Sequence, residues 1–524
     1  MLTNKHPGLT HQHQALAALL LALLALLCLV KFGSHIACTL QSSDSGWLIR
    51  TGQYIVEHGI PANDPFSWSS PLRPIVIYQW LYAVILGWLW QQGGLWLVGL
   101  ATSIIAGLIY LWYLPASMIS RGVSAVYTFA MLSLCCTPVL FWARPQITSF
   151  VLILAFGAIL EHTRTNTSKK SLAALPLLMV LWANLHSFWF IGLGMVAAYL
   201  FEAAISKKTG SKALLLALFA CLLAVLINPY GTGLIVYNLS FTTEPDFASI
   251  RELQPLLLTQ AKSHLYELLY LALAWAAMIM GRRSVPLAGL LLSAITSAAA
   301  LLLYRFGPVA MLITWPYVSM ALASFPIFRS GENIGELEAQ PKKLRHTLNI
   351  GLACLALISA LFFYVQQFPQ DKPVWFTNSD SSLKVTEFLK EHPALTKRLL
   401  CDPAVGSTLI YENIVPVFFD TRFDFYGRQF CTEFNNCFDA EDGWQQYIEK
   451  WQVDAVCVDD SYRIYKALLC SPAWQKIYDD KNFSVWLPIL KQKTSAAKIE
   501  PVTVQEKPKF PSVNKRREAD LDGH

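Results

Sequence analysis

The chain has 524 residues, of which 54% are hydrophobic and only 15% charged, with a formal net charge of +6 and a mean hydropathy of +0.40. That balance excludes a soluble globular protein and points to a multi-span membrane protein, whose helices need roughly 20 apolar residues to cross a ~30 Å hydrocarbon core. Basic loops and the C-terminal tail account for the positive charge, so no nucleic-acid partner is expected.

In chain order, the apolar runs form twelve candidate spans, at about 14–34, 76–90, 95–114, 123–142, 145–161, 172–187, 188–205, 212–228, 264–280, 285–303, 306–326 and 347–366. The first run reads as an uncleaved anchor; the alternative is the apolar region of a signal peptide, though no small-residue cleavage pattern follows it cleanly. Short basic loops at 162–170, 206–212, 281–283 and 342–345 mark the cytoplasmic side. They leave 229–263, Tyr304-Arg305 and everything after about 367 on the outer side, with the N-terminus inside. An inside start and an outside finish require an odd number of crossings, about eleven. One candidate therefore fails to span, and 76–90 or the 172–205 pair is expected to be short or re-entrant.

The first outer loop, 35–75, contains SDSGWLIRTGQYIVEHGIPANDPFSWSS. Ionised carboxylates beside bilayer segments are costly to hold and mark sites more often than packing positions. Asp44 and Asp64 are therefore candidates, against a plainer reading of Asp44 as the cap of the helix WLIRTGQYIVEHG and Asp64 as a cap in the following turn. Asn184 and His186, inside an apolar run, are either a satisfied intramembrane pair or part of a cavity. Glu202 and Glu267 read as interfacial. Arg305 is either a snorkelling residue or an anion ligand at the outer end of a span.

Residues 1–368 thus form a helical membrane domain, 369–492 a small outer domain and 493–524 a disordered tail poor in apolar residues. In the outer domain SLKVTEFLKEH and WQQYIEKW read as helices, and RLLCDP, VPVFFD, DAVCVDD and FSVWLPIL as strands, which together suggest an α/β layer. Asp420, Arg422 and Asp424 alternate with aromatics and read as a structural ion-pair turn or as the border of an acceptor path. Of the 11 cysteines, Cys28, Cys135, Cys136, Cys221 and Cys354 lie in apolar runs, and a Cys431–Cys437 bridge is open on the outer side. No CxxC suggests structural zinc, and no inverted repeat of broken helices suggests a secondary transporter.

The pattern DxGWxIRxGxxIxxxGxPxxDPFSW followed by YQWL resembles bacterial membrane glycosyltransferases of the GT-C type. That superfamily includes oligosaccharyltransferase catalytic subunits, protein O-mannosyltransferases and lipid A aminoarabinose transferases. Ala143-Arg144-Pro145-Gln146, Trp182-Ala183-Asn184-Leu185-His186, Asn228-Pro229-Tyr230-Gly231 and the segment Phe419-Asp420-Thr421-Arg422-Phe423-Asp424-Phe425-Tyr426 extend the likeness, in order, from residue 40 to about 487.

The resemblance implies an all-α polytopic membrane domain of about eleven spans, followed by a small α/β extracytoplasmic domain, in the bacterial inner membrane. It implies transfer of a sugar from a polyprenyl-phosphate donor to an envelope glycan, lipid or protein acceptor on the outer side. Asp44 would be the catalytic base or the ligand of a divalent cation, Mg or Mn, with Asp64 as second candidate. Arg305 and Arg144 would hold the donor phosphate, and Asn184, His186 and Glu252 would line the cavity. The chain departs from related sequences at Leu48, where a His is common, at Gln79, where an acid is common, and at Glu252-Leu253, where Glu-Trp is expected. A lipid-linked glycan transporter, flippase-like, or a non-catalytic envelope assembly protein is the alternative.

Overall fold

A computed structural model describes residues 11–36, 44–69, 74–135, 142–166, 169–206, 210–243, 253–256, 265–329, 356–362, 365, 380–480, 482–489 and 502–503. The chain divides into two compact units. The first comprises Met1–Pro65, Leu72–Asn378 and Arg422–Arg428; the second comprises Phe66–Pro71, Ser379–Thr421 and Gln429–His524.

The first unit is helical: α1 (His11–Ile36), α2 (Asp44–His58), α3 (Trp80–Gly107), α4 (Leu114–Ile119), α5 (Ala125–Leu134), α6 (Gln146–Thr165), α7 (Ala174–Leu185), α8 (Trp189–Ile205), α9 (Ser211–Val225), α10 (Gly233–Thr243), α11 (Leu265–Met280), α12 (Leu287–Leu302) and α13 (Gly307–Ala323). Among the described residues, Trp80–Ile119, Gln146–Thr165 and Tyr304–Ala323 are long and apolar enough to cross a membrane, and seven further apolar helices are shorter. The candidates at 76–90 and 95–114 merge into the first of these, which kinks at Gly93–Gly94, where Gly94 takes φ +60°, and widens to a π-helix over Leu108–Tyr113. Glycine alone adopts that conformation without strain. The 172–205 pair becomes α7, of 12 residues, and α8, of 17, with His186–Phe188 between them. Of the candidate at 347–366, only 356–362 and 365 are described.

Several elements are held at backbone distance. α2 packs on α3, and a Cβ at Gly52 would lie 1.9 Å from the Ala83 carbonyl oxygen, so only glycine permits that approach. α12 packs on α8 and α13. Glu202, expected at the interface, is instead buried on α8 and accepts a hydrogen bond from the Ala288 amide at 2.9 Å. The unsatisfied amides and positive dipole end of the α12 N-terminus stabilise the carboxylate there. Glu267 is buried as well.

The second unit is an α/β layer around a sheet ordered β1 (Leu399–Cys401), β2 (Ala455–Asp459), β4 (Phe483–Pro488), β3 (Trp474–Asp479), β5 (Val502–Thr503). β1 and β2 run parallel, with Cys401 opposite Cys457, while β4 is antiparallel to both neighbours and β5 is parallel to β3. The helices Asp380–Glu391 and Trp444–Lys450 form where expected. VPVFFD does not join the sheet. It lies alongside Phe66–Trp68, where Val417 donates its amide to the Phe66 carbonyl at 2.8 Å and accepts from the Trp68 amide at 2.9 Å. Phe418 and Phe419 then enter an aromatic core with Phe434 and Phe438, all fully buried.

The Cys431–Cys437 bridge does not form, and neither sulfur is in a disulfide. The two residues share the helix Arg428–Phe438. Six positions along a helix separate Cα atoms by about 9 Å, beyond disulfide reach. Val502–Thr503, in the segment expected to be an unfolded tail, pairs with β3; the rest of 490–524 lies outside the described residues.

Candidate functional site

The candidate site lies in the first unit and begins at the first turn of α2. Trp47 donates its indole N–H to Asp44 Oδ1 at 3.2 Å, and Arg144 donates to Asp44 Oδ2. Ser45, the next residue, donates its hydroxyl to the Ala143 carbonyl at 3.0 Å, which pins the Arg144-bearing turn to the start of α2. Asp44 also sits where a helix favours negative charge. Arg144, expected on the donor phosphate, thus meets Asp44 instead, with its guanidinium 5.2 Å from the Trp142 ring.

Asp64 is held differently. Arg422 forks onto it at 2.5 and 3.0 Å, and the Arg422 and Asp64 side chains are 5% and 0% exposed respectively. The Arg422 guanidinium also lies 5.9 Å from the Trp47 ring and 5.3 Å from the Phe425 ring. A bidentate pair buried to this degree fixes geometry, and it gives Asp64 the role of an anchor for the segment Arg422–Arg428.

That segment brings in Asp424, which sequence patterning presented as part of a structural turn. Tyr237 on α10 donates its hydroxyl to Asp424, and Tyr78 stacks on Tyr237 with ring centroids 5.6 Å apart. Burial pushes the Asp424 carboxyl above its usual range; the Tyr237 hydrogen bond and the positive charge of Arg305 oppose that shift, and the negative charge of Asp44 reinforces it. Asp44, Arg305 and Asp424 therefore share one electrostatic neighbourhood. No local signal marked Tyr237.

Arg305 sits in the single turn Tyr304–Phe306 between α12 and α13. The Tyr304 amide donates to the Gln254 carbonyl at 3.0 Å, and Tyr304 packs with Leu256 and Trp142. The turns carrying Arg144 and Arg305 are thereby joined through neighbouring aromatic residues. The Arg305 guanidinium lies 5.3 Å from the Phe188 ring, and its buried Nε has no hydrogen-bond partner among the described residues.

His186 is 1% exposed and meets the edge of Phe188 at 4.5 Å. Its Nδ1 lies 2.8 Å from Ser149 Oγ, which accepts the Trp182 indole N–H at 2.8 Å. Asn184, its partner in sequence, is fully engaged elsewhere. It accepts from the Trp80 indole at 2.7 Å and donates to the carbonyls of Val180 and Ile227 at 2.7 and 2.8 Å. Asn184 therefore ties α3, α7 and the end of α9 together. Glu252 lies outside the described residues, Leu48 is a buried apolar residue, and Gln79 is buried at the start of α3.

The described carboxylates do not gather into a divalent-cation cluster. Among the described residues no three His, Cys, Asp or Glu side chains gather to hold a metal, and Asp44 and Asp424 already accept from Arg144, Trp47 and Tyr237. A hard cation such as Mg prefers a set of oxygen ligands in near-octahedral array.

No protein-family model matches the chain, and no curated protein sequence does. Among solved structures, the apo oligosaccharyltransferase of Archaeoglobus fulgidus is similar at a TM-score of 0.51 and 16% identity, over 82% of this chain and 69% of that one. ArnT from Cupriavidus metallidurans in the apo state aligns at 12% identity over 89% of this chain and 97% of that one, with a TM-score of 0.41. The first likeness shows a shared fold, a helical unit accompanied by a small sheet.

Proposed function

We propose that the chain is a glycosyltransferase of the bacterial inner membrane, moving a sugar from a polyprenyl-phosphate donor to a hydroxyl-bearing glycan, lipid or protein on the outer side. The observation that carries this reading is Arg305, a guanidinium with a buried nitrogen lacking an acceptor among the described residues, set in the electrostatic field of Asp44 and Asp424. The planar fork of a guanidinium so placed matches two oxygens of a tetrahedral phosphate.

In the proposed step the acceptor hydroxyl oxygen attacks the anomeric carbon, and the bond from that carbon to the phosphate oxygen breaks. The hydroxyl proton passes to Asp44, which Arg144 and Trp47 orient. The bonding electron pair leaves with the polyprenyl phosphate, whose added negative charge is stabilised by Arg305. Asp424, shifted toward its neutral form, is suited to donate a hydrogen bond to a sugar hydroxyl.

The test is incubation of the purified full-length protein with a panel of polyprenyl-phosphate sugars and acceptors from its own envelope, followed by mass spectrometry. The parent is expected to add one sugar mass to an acceptor and release polyprenyl phosphate. Asp44→Asn is expected to lose ~10²–10⁴-fold in rate while staying folded. Folded parent protein that transfers from no donor in the panel would refute the reading, and an Asp44→Asn variant within a few-fold of the parent would remove Asp44 as the base.

A further inference from the structure

The hydrogen-bond chain behind His186 favours one of its two ring nitrogens as the carrier of the proton. An indole N–H only donates, so Ser149 Oγ accepts from Trp182. Among the described residues His186 Nδ1 is the remaining partner able to take the Ser149 hydroxyl hydrogen, and satisfying that donor makes Nδ1 the acceptor. In the neutral ring the proton consequently resides on Nε2. Nε2 is fully buried with no partner among the described residues, although an orphaned N–H inside a protein costs free energy unless something fills the position.

The same aromatic ring locates the missing partner. Phe188 has the Arg305 guanidinium 5.3 Å from its centroid and the His186 ring 4.5 Å from it, and the positive charges of Arg305 and Arg144 both act on His186. Two donors that lack acceptors among the described residues, one cationic and one neutral, share one aromatic platform. A cationic ligand is disfavoured there, and an apolar one would leave both donors unsatisfied. An anion with several acceptor oxygens satisfies both.

We propose that His186 donates its Nε2–H to the phosphate that Arg305 holds, with Ser149 and Trp182 acting as positioning residues that lock the imidazole in the donating form. This rests on the donor reading above and makes the phosphate site a two-point cradle. The neutral imidazole adds a directed hydrogen bond to the charge of the guanidinium, so the site selects lipids that end in phosphate over lipids that end in a hydroxyl.

The experiment measures affinity of the full chain in lipid nanodiscs for polyprenyl phosphate and for polyprenol, with thermal unfolding as a control on folding. His186→Leu is expected to bind polyprenyl phosphate about ten- to a hundredfold more weakly, the size of a hydrogen bond to a charged group, and to bind polyprenol as the parent does. His186→Gln, which keeps an N–H near the Nε2 position, is expected to recover most of that loss. Ser149→Ala releases the tautomer and is expected to lose several-fold, and it serves as the test should His186→Leu fail to fold. A parent that binds no polyprenyl phosphate overturns both this assignment and the donor reading. Binding that falls in Arg305→Ala but not in His186→Leu or Ser149→Ala overturns this assignment alone, as does an equal loss for phosphate and alcohol.

Discussion

Arg422 and Asp64, 358 residues apart in sequence, meet through two parallel hydrogen bonds at 2.5 and 3.0 Å in an environment closed to solvent. The pair brings the segment carrying Asp424 to the helical unit that carries Asp44. Removing one member of a buried pair leaves the other charge uncompensated, which costs about 3–5 kcal/mol. Arg422→Ala should therefore lower thermal stability strongly, while the double replacement Asp64→Leu with Arg422→Leu should be much milder. Equal stability of Arg422→Ala and parent in a detergent melt would show that the pair does not anchor the segment.

Asp424 gives a pH signature. Its folded-state pKa is raised, first by burial. A group raised in this way contributes stability below its unfolded pKa, about 3.9 for an aspartate, and that contribution is lost as pH rises through the folded value. Asp424→Asn cannot ionise, so it should gain stability relative to the parent as pH increases from the usual carboxylate range toward neutrality. The difference should be smallest at the acid end. Melts of both proteins across that range check the sign, and parallel curves would leave Asp424 without a titrating role.

Arg305→Ala should weaken polyprenyl-phosphate binding by roughly one to two orders of magnitude, because a charge-assisted contact to phosphate contributes about 1.5–3 kcal/mol. Arg305→Lys should recover only part of it, since a point charge lacks the planar fork. Titration of the lipid into each variant measures this. Equal affinity in Arg305→Ala, Arg305→Lys and the parent would identify Arg305 as a residue that reaches for the membrane surface and nothing more.

Gly52→Ala tests how α2 is held. The added Cβ would stand 1.9 Å from the Ala83 carbonyl oxygen, so the two helices must separate. Overpacking of this kind costs about 1–3 kcal/mol, and it moves the helix whose first turn carries Asp44. Lower stability together with a reduced kcat is expected; an unchanged kcat in a folded variant would mean that the position of α2 does not govern the acid.

Legibility in the sequence followed the range of the interaction. The helix starting at Asp44, the glycine and proline that end it, and two of the helices (Asp380–Glu391 and Trp444–Lys450) and three of the strands of the second unit follow from local patterning, whereas the helices Pro403–Tyr411, Arg428–Phe438 and Arg463–Cys470 were not expected. VPVFFD has strand composition, yet it pairs only with Phe66–Trp68, a partner that no local period encodes. WQKIYD gave no clean alternation and was not expected as β3, which is only partly buried along its length. At the site, the motifs marked Asp44, Arg144, His186 and Arg305, but which acid meets which arginine depends on contacts across 100 and 358 residues. Asp424 was visible only as a charge among aromatics, because its partner Tyr237 lies 187 residues away.

The division of the chain into units has a practical edge. Residues Phe66–Pro71 belong to the second unit although they lie within the first outer loop, and Arg422–Arg428 belong to the first although the second surrounds them in sequence. A protein cut anywhere between residues 366 and 379 would keep Asp64 but lose the arginine that neutralises it, and the excised piece would lack the short segment that lies along Val417. The two pieces made by such a cut are thus reciprocal dependents, because each compact unit draws on both sides of it. Expression of either part alone is expected to yield an incompletely stabilised product, whereas supplying both on separate chains would restore the missing complement to each.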